Sequence, residues 1–598
     1  MTYHVTLAGQ GLLLDLQSYK RSLAEPFAGK LVSGDLSYGS LRDEMAVLID
    51  DWSGGEGYTS HDPDEPGHYR KGPGLDPWTE PGAVRQGPAL ASAIGAGLGD
   101  VSWCPTVNAL GKLYVGVDAG KCLTWDGISA VTAFTLTTGT RIAAMVEYQG
   151  KMYIGKTGAN TIATWDGTTY TDVFLTLPAP VTACYSMGVF YRGSVAYLYL
   201  VGEAPSGCRI YYTDGVSLST LRYQLNEPSC RVQPQVIGTT AVFFGVRLGN
   251  GAKTGVYTLR DNGSLEQWAF TTTLEGVNLF SGSVLGDASY LVGERGTGMF
   301  PEVYRWRNGQ MERVTHTLSE PYLGSTLTAT ASGRGGFWLG FADGSGVGMK
   351  RYDGAQWSEP FPLTYTLGRA VSAAFYNGDL YFLTYLTGAT NWYLWRLRSD
   401  LYAAAATLET GLIDARLPGI TKVWRSVTVT FGALLSGQSV QVLYQLDETG
   451  AWVSLGTQST VGATSASFTF AAALTGKMIA FRVVLTGVGG ATAPVRLLSL
   501  EARCRPAAGA KRVWEWDCLI EGSAQMPMVL LDGSNSPQTS AQLSAALWSL
   551  AGQAGPLTYV DLDGVTRSVW LLEYTEKGAK MSQKLGTQLR GSLRLLEA

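Results

Sequence analysis

Apolar and polar positions alternate in short runs along much of this chain. In GKLYVGVDAGKCLTWDG (111–127), Leu113 and Val115 flank Tyr114, and in GKMYIGKTGANTIATWDG (150–167), Met152 and Ile154 flank Tyr153. A two-residue period predicts strands with two distinct faces. Five drifting relatives follow: SVAYLYLVGEAPSGCRIYYTDG (194–215), AVFFGVRLGNGAKTGVYTLRDNG (241–263), ASYLVGERGTGMFPEVYRWRNG (288–309), GGFWLGFADGSGVGMKRYDG (335–354) and GDLYFLTYLTGATNWYLWRLRSD (378–400). The aromatic or apolar residue near the end of the second strand falls at Trp125, Trp165, Tyr212, Leu259, Trp306, Tyr352 and Trp395, in steps of 40, 47, 47, 47, 46 and 43. A hairpin recurring at that period predicts a seven-bladed β-propeller over 89–408, with an eighth blade completed near the N-terminus as the alternative count.

Within each unit the glycine after the aromatic strand (Gly116, Gly155, Gly202, Gly245, Gly293, Gly340) predicts a bulge or a close backbone approach. Small-residue runs such as RIAAMVEY (141–148), TLTATAS (326–332) and AVSAAFY (370–376) suit crowded inner strands, which makes the repeated hairpin the outer part of a blade. Trp-Asp-Gly reads as a turn with positive φ whose Trp covers the gap between blades. A shared catalytic or metal role is excluded, because Asn262, Asn308 and the Leu-Arg of the last unit replace the Asp.

The pattern changes on both sides. Residues 1–88 lack the repeat and read as N-terminal strands followed by an extended connector arm, since DDWSGGEGYTSHDPDEPGHYRKGPGLDPWTEPG (50–82) is dense in Gly, Pro and acids and poor in apolar residues. Residues 409–507 alternate without blade turns and predict a jelly-roll-like β-sandwich, in which Trp452 is read as packing, with carbohydrate contact as the rival role. Residues 508–598 form a third unit. VWEWDCLIEG is a strand, Leu543, Leu547 and Leu550 mark one face of a helix in 536–555, and PLTYVDLDGVTRSVWLLEY is a hairpin. Its turn, Asp561-Leu562-Asp563-Gly564, starts like a calcium loop but lacks the later ligands.

Composition narrows the chemistry. A net charge of -4 leaves no broad cationic surface for nucleic acid. Seven scattered cysteines without a Cys-x-x-Cys spacing read as buried thiols rather than disulfides or a zinc site. No basic-then-apolar leader opens the sequence and no run is long enough to span a membrane, so the chain is expected to be made in a cytoplasm. His61, Asp62, Asp64, Glu65 and His68 are a weak metal cluster on a Pro-interrupted loop, read as solvated. Histidine is scarce, with His4, His61, His68 and His316 only, and no Gly-x-Ser-x-Gly occurs, because Ser219 stands where Gly215-Val216-Ser217 would need its second glycine. No carboxylate pair is singled out for glycoside hydrolysis. The reading is therefore no enzyme, no catalytic, cofactor-binding or metal residues, and no cofactor.

The order of GQGLLLDLQSYKRSLAEPF and DDWSGGEGY, a Gly- and Trp-rich propeller, a sandwich ending in RCRP, and WEWDCLIEG…PLTYVDLDG…VWLLEY resembles minor tail proteins of long-tailed bacteriophages. The resemblance implies a virion structural protein of the tail tip or baseplate, with a C-terminal tail-tube-like domain of two sheets and one helix that assembles as a ring. Its partners would be other copies of itself and the tail tube, distal tail and hub proteins. The propeller would project outward and contribute to host-surface glycan attachment. The competing reading is a propeller lectin or glycan-degrading enzyme outside any virion.

Overall fold

The computed structural model describes all residues except 1–2, 25–44, 58–59, 62–66, 95–104, 118–119, 193, 222, 226–230, 238–240, 248–253, 260–264, 270–276, 296–300, 308–309, 315–328, 344–345, 360–361, 364–367, 387–391, 416–420, 508–510, 522–528, 552, 554, 583–585 and 598. The described residues are mainly β, with one α-helix, Ser540–Ala551.

Among the described residues, seven antiparallel sheets of four or five strands follow one another along the chain. The first contains Thr106–Ala109, Lys112–Gly116, Lys121–Trp125 and Ala130–Thr135; the second contains Arg141–Tyr148, Lys151–Thr157, Thr161–Trp165 and Tyr170–Thr176. Each sheet's first strand lies beside the first strand of the next, and Gly368–Tyr376 of the seventh returns to Thr106–Ala109 of the first. That ring of inner strands is a seven-bladed propeller. All seven spaced aromatic or apolar anchors lie in third strands.

Two expectations change here. The repeated hairpin forms the two middle strands of a blade, not its outer part, because a fourth strand such as Ala130–Thr135 pairs outside it. The N-terminal stretch completes no eighth blade. Pro88–Ile94 pairs with Trp392–Tyr402 and becomes the fourth strand of the seventh.

Alternation along the second strand serves both blade interfaces. Leu113 and Val115 pack with Leu383 and Leu394 of the seventh blade, whereas Tyr114 packs with Ile142 and Ile154 of the second. The strand-end glycines permit close approach: a Cβ on Gly155 would lie 2.5 Å from the Cys184 carbonyl oxygen, and one on Gly340 would lie 2.8 Å from the Ala370 Cβ. Register shifts in the inner strands at 142–144 and 184–186 lie opposite Gly155 and Gly202, the bulges that the sequence predicts.

The largest correction concerns residues 1–88, which form no connector arm within their described part. Val5–Leu7, Gln10–Leu12 and Lys20–Ala24 join Lys511–Glu521, Leu557–Val560, Thr566–Ser582 and Gly586–Glu597 in one seven-stranded sheet, covered by the helix. Met45–Ile49, Leu75–Asp76 and Val84–Gln86 join one sheet of the sandwich, and Tyr69–Lys71 joins the other. The sandwich also takes in Ala405–Thr410. Hence the spans 409–507 and 508–598 are not self-contained. The chain enters through the terminal domain, crosses the sandwich, makes the propeller and returns in reverse order.

Sparse apolar residues suffice for this because each short strand contributes one or two large ones. Trp52, Tyr69, Leu75 and Val84 are all buried in the sandwich core with Trp424, Phe431 and Phe481. Trp52 donates its indole N–H to the Leu498 carbonyl at 3.1 Å, and the buried Gln86 side chain donates to Leu485 O and accepts from Val495 N. Among its described residues the terminal domain has a single sheet, where two were expected. Its helix is capped as the Thr539-x-x-Gln542 spacing dictates, with reciprocal backbone-to-side-chain bonds of 3.0 and 3.3 Å, and buries Leu543, Leu547 and Leu550.

Candidate functional site

The Trp-Asp-Gly turns behave as structure. Asp126, Asp166, Asp214 and Asp353 each accept two backbone N–H bonds of 2.7–2.9 Å from the residues two and three positions on. These bonds hold Asp126, Asp166 and Asp214 below the usual carboxylate range, and the following glycines take positive φ. The tryptophans bridge blades: Trp125 donates to Tyr381 Oη of blade seven and Trp165 to Tyr114 Oη of blade one, both at 3.2 Å. Ser217 is part of the Asp214 turn, and Ser219 Oγ accepts from Tyr212 N. The turns at Asn262 and Asn308 lie outside the described residues.

Other candidates separate in the same way. His61 donates its backbone N–H to Leu412 O, and the His68 ring contacts Gly54 O; Asp62, Asp64 and Glu65 are outside the described residues, as is His316. Among the described residues no group of three His, Cys, Asp or Glu is placed to hold a metal. Trp452 is half-buried under the Arg482 guanidinium, 4.3 Å from the ring centroid, and Arg482 pairs with Glu409. Cys122, Cys184, Cys208, Cys504 and Cys518 are buried thiols, and burial pushes Cys184 and Cys518 up to about 12. Asp561 is in a hairpin turn as expected, yet it is also a buried acceptor for Tyr19, Trp514, Tyr559 and Arg567 at 2.6, 2.9, 3.0 and 3.0 Å.

A site that the sequence did not single out lies where the sandwich meets blades six and seven. A cavity of about 400 Å³ is lined by Asp76 and Arg85 from the N-terminal sandwich strands, Arg334, Trp338 and Arg351 from blade six, and Tyr402 at the end of blade seven. Aromatic rings hold two guanidiniums: Arg351 lies 5.2 Å from the Trp78 centroid and 5.8 Å from that of Trp338, and Arg85 lies 5.3 Å from Tyr402. Arg85 and Arg351 share Asp76, at 3.3 and 3.6 Å, while Arg334 and Arg396 share Asp379, at 3.3 and 2.7 Å. Burial holds Arg334 and Arg351 below their ordinary guanidinium values, against the attraction of Asp379 and Asp76. The lining residues span 76 to 402, and the strand pairing of 75–86 with the sandwich, together with that of Pro88 with Tyr402, brings them together.

No family model and no curated protein matches the chain. Solved structures do. A computationally designed protein, Ika8, is similar over 54% of this chain and 86% of its own, at 12% identity and a TM-score of 0.32. A chain of a mitotic checkpoint complex is similar over 52% and 92%, at 12% identity and a TM-score of 0.38. An exo-β-1,3-galactanase from Phanerochaete chrysosporium is similar over 53% and 95%, at 12% identity and a TM-score of 0.24.

Proposed function

We propose that this chain is a non-enzymatic structural subunit of a bacteriophage tail tip or baseplate, assembling through its terminal domain and presenting its propeller outward. The observation that carries the assembly part is an open strand edge. Thr566–Ser582 pairs with Leu557–Val560 only through Val569, so from residue 570 onward that side has no strand partner among the described residues, while the other side pairs with Gly586–Glu597 as far as Ser582. Near where the pairing stops, Trp570 is 38% and Leu572 52% exposed. An unpaired edge bearing apolar side chains is a template for another chain. The phage context rests on the resemblance of the sequence. Ring formation would multiply weak propeller contacts with a repeated host glycan through effective concentration.

Sedimentation velocity of the full chain, together with density for it in purified tails, tests this reading. The wild type is expected to form a closed ring, and Trp570→Lys with Leu572→Lys to remain monomeric with an unchanged circular dichroism spectrum. A wild type that is monomeric at all concentrations, and absent from purified tails, would sink the proposal.

A further inference from the structure

We infer that the cavity between the sandwich and blades six and seven binds a sugar-sized molecule bearing a carboxylate or phosphate oxyanion. This inference is independent of whether the chain belongs to a virion.

Charge is the first argument. Four guanidiniums, Arg85, Arg334, Arg351 and Arg396, meet two carboxylates, Asp76 and Asp379, each shared. Of the acids nearby, Asp400 pairs with Arg398, while Asp353 accepts neutral N–H bonds in its own turn and keeps its charge, which attracts Arg351. Among these groups four positive charges thus meet three negative ones, and one is left in excess beside partly buried walls, where uncompensated charge is costly. Side-chain exposure is only 13% for Arg351 and 16% for Arg85, so bulk water compensates little. The depression of the Arg334 and Arg351 values by burial points the same way.

Preorganisation is the second argument. Arg351 is fixed between the Trp78 and Trp338 rings and donates to Arg334 O at 2.7 Å; Arg85 is fixed on Tyr402. A guanidinium held in this way loses little freedom on gripping a planar carboxylate or a phosphate face. Asp76 is itself held by Trp78 N, Thr79 N and the Thr79 hydroxyl, so the arginines cannot draw it further in. Size is the third argument: about 400 Å³ exceeds what a bare phosphate fills and lies at the small end of ligand pockets.

Isothermal titration of the full chain with D-glucuronate, glucose 6-phosphate, inorganic phosphate and glucose tests the inference. At least one of the two anionic sugars is expected to bind saturably below about 10 mM and more tightly than inorganic phosphate, with no binding of glucose. Carboxylate and phosphate recognition separate in the first two arms. Arg334→Gln, at a residue with 29% side-chain exposure, is expected to weaken binding about tenfold or more, and Arg334→Lys to retain part of it. The inference is overturned if neither anionic sugar binds, if glucose binds equally, or if folded Arg334→Gln binds as wild type. The ligand panel on the wild type decides the matter even where the variants do not fold.

Discussion

Asp561 shows how one side chain ties the two ends of the chain. Its carboxylate is 1% exposed and gathers Tyr19 from the N-terminal segment and Trp514, Tyr559 and Arg567 from the C-terminal one, with Arg21 at 3.4 Å. Burial alone would raise its pKa, but the bonds from Tyr19, Leu562 N, Trp514 and Tyr559 outweigh it and hold the group below the usual carboxylate range. A depressed carboxylate contributes stability that is complete above its unfolded value of about 3.9 and is lost as the pH falls through the lower folded value. The protection of residues 5–24 against hydrogen exchange, taken relative to their intrinsic rates at each pH, should therefore fall on acidification below about pH 4. In Asp561→Asn the same segment should exchange fast already at pH 7, since each lost bond to a charged group costs about 1.5–3 kcal/mol. A segment protected equally in both proteins at pH 7 would show that Asp561 does not tie it down.

At the scale of elements, what was legible in the sequence depended on repetition and local chemistry. Seven drifting hairpins gave the blade count because each places an anchor at the same point of a third strand, and the helix face at Leu543, Leu547 and Leu550 needed only its own spacing. The strands of 45–86 carry no such signal. They are 2–5 residues long and separated by turns rich in Gly and Pro; apart from Leu75–Asp76, which pairs with Val84–Gln86, their partners lie about 340 to 460 residues away. A composition window averages Trp52 with its acidic neighbours and misses that its ring is in the core. The cavity was hidden for the same reason, since its charged wall depends on that long-range pairing. Trp52→Ala tests the point directly: removing a fully buried indole should cost about 3–5 kcal/mol, read as a lower denaturant midpoint of the sandwich transition. An arm would tolerate the change. Residues 409–598 alone lack the strands at 5–24 and 45–86 and are not a folding unit on this architecture.

For the whole molecule, the nested path decides how load and motion pass between parts. The propeller opens and closes at adjacent points, Pro88 pairing with Tyr402, and Ala403 N donates to Gly87 O at 3.0 Å. A third attachment lies away from this hinge: Glu56 N donates to Trp357 O at 2.8 Å and the Glu56 carboxylate pairs with Lys350 at 3.3 Å, both side chains under 10% exposed. Two neighbouring crossings alone would allow the propeller to swing, whereas a contact on blade six prevents it. Removing one partner of a buried ion pair leaves the other charge uncompensated at about 3–5 kcal/mol, while replacing both is far less costly. Lys350→Met is thus expected to lower the calorimetric midpoints of sandwich and propeller together, and Glu56→Gln combined with Lys350→Met to recover most of the loss. If the propeller were an independent head on a flexible stalk, Lys350→Met would shift the propeller transition and leave the sandwich transition where it was. A coupled response would mean that a pull on the propeller is carried through the sandwich toward the terminal sheet, the property needed of a subunit that links a surface contact to an assembly.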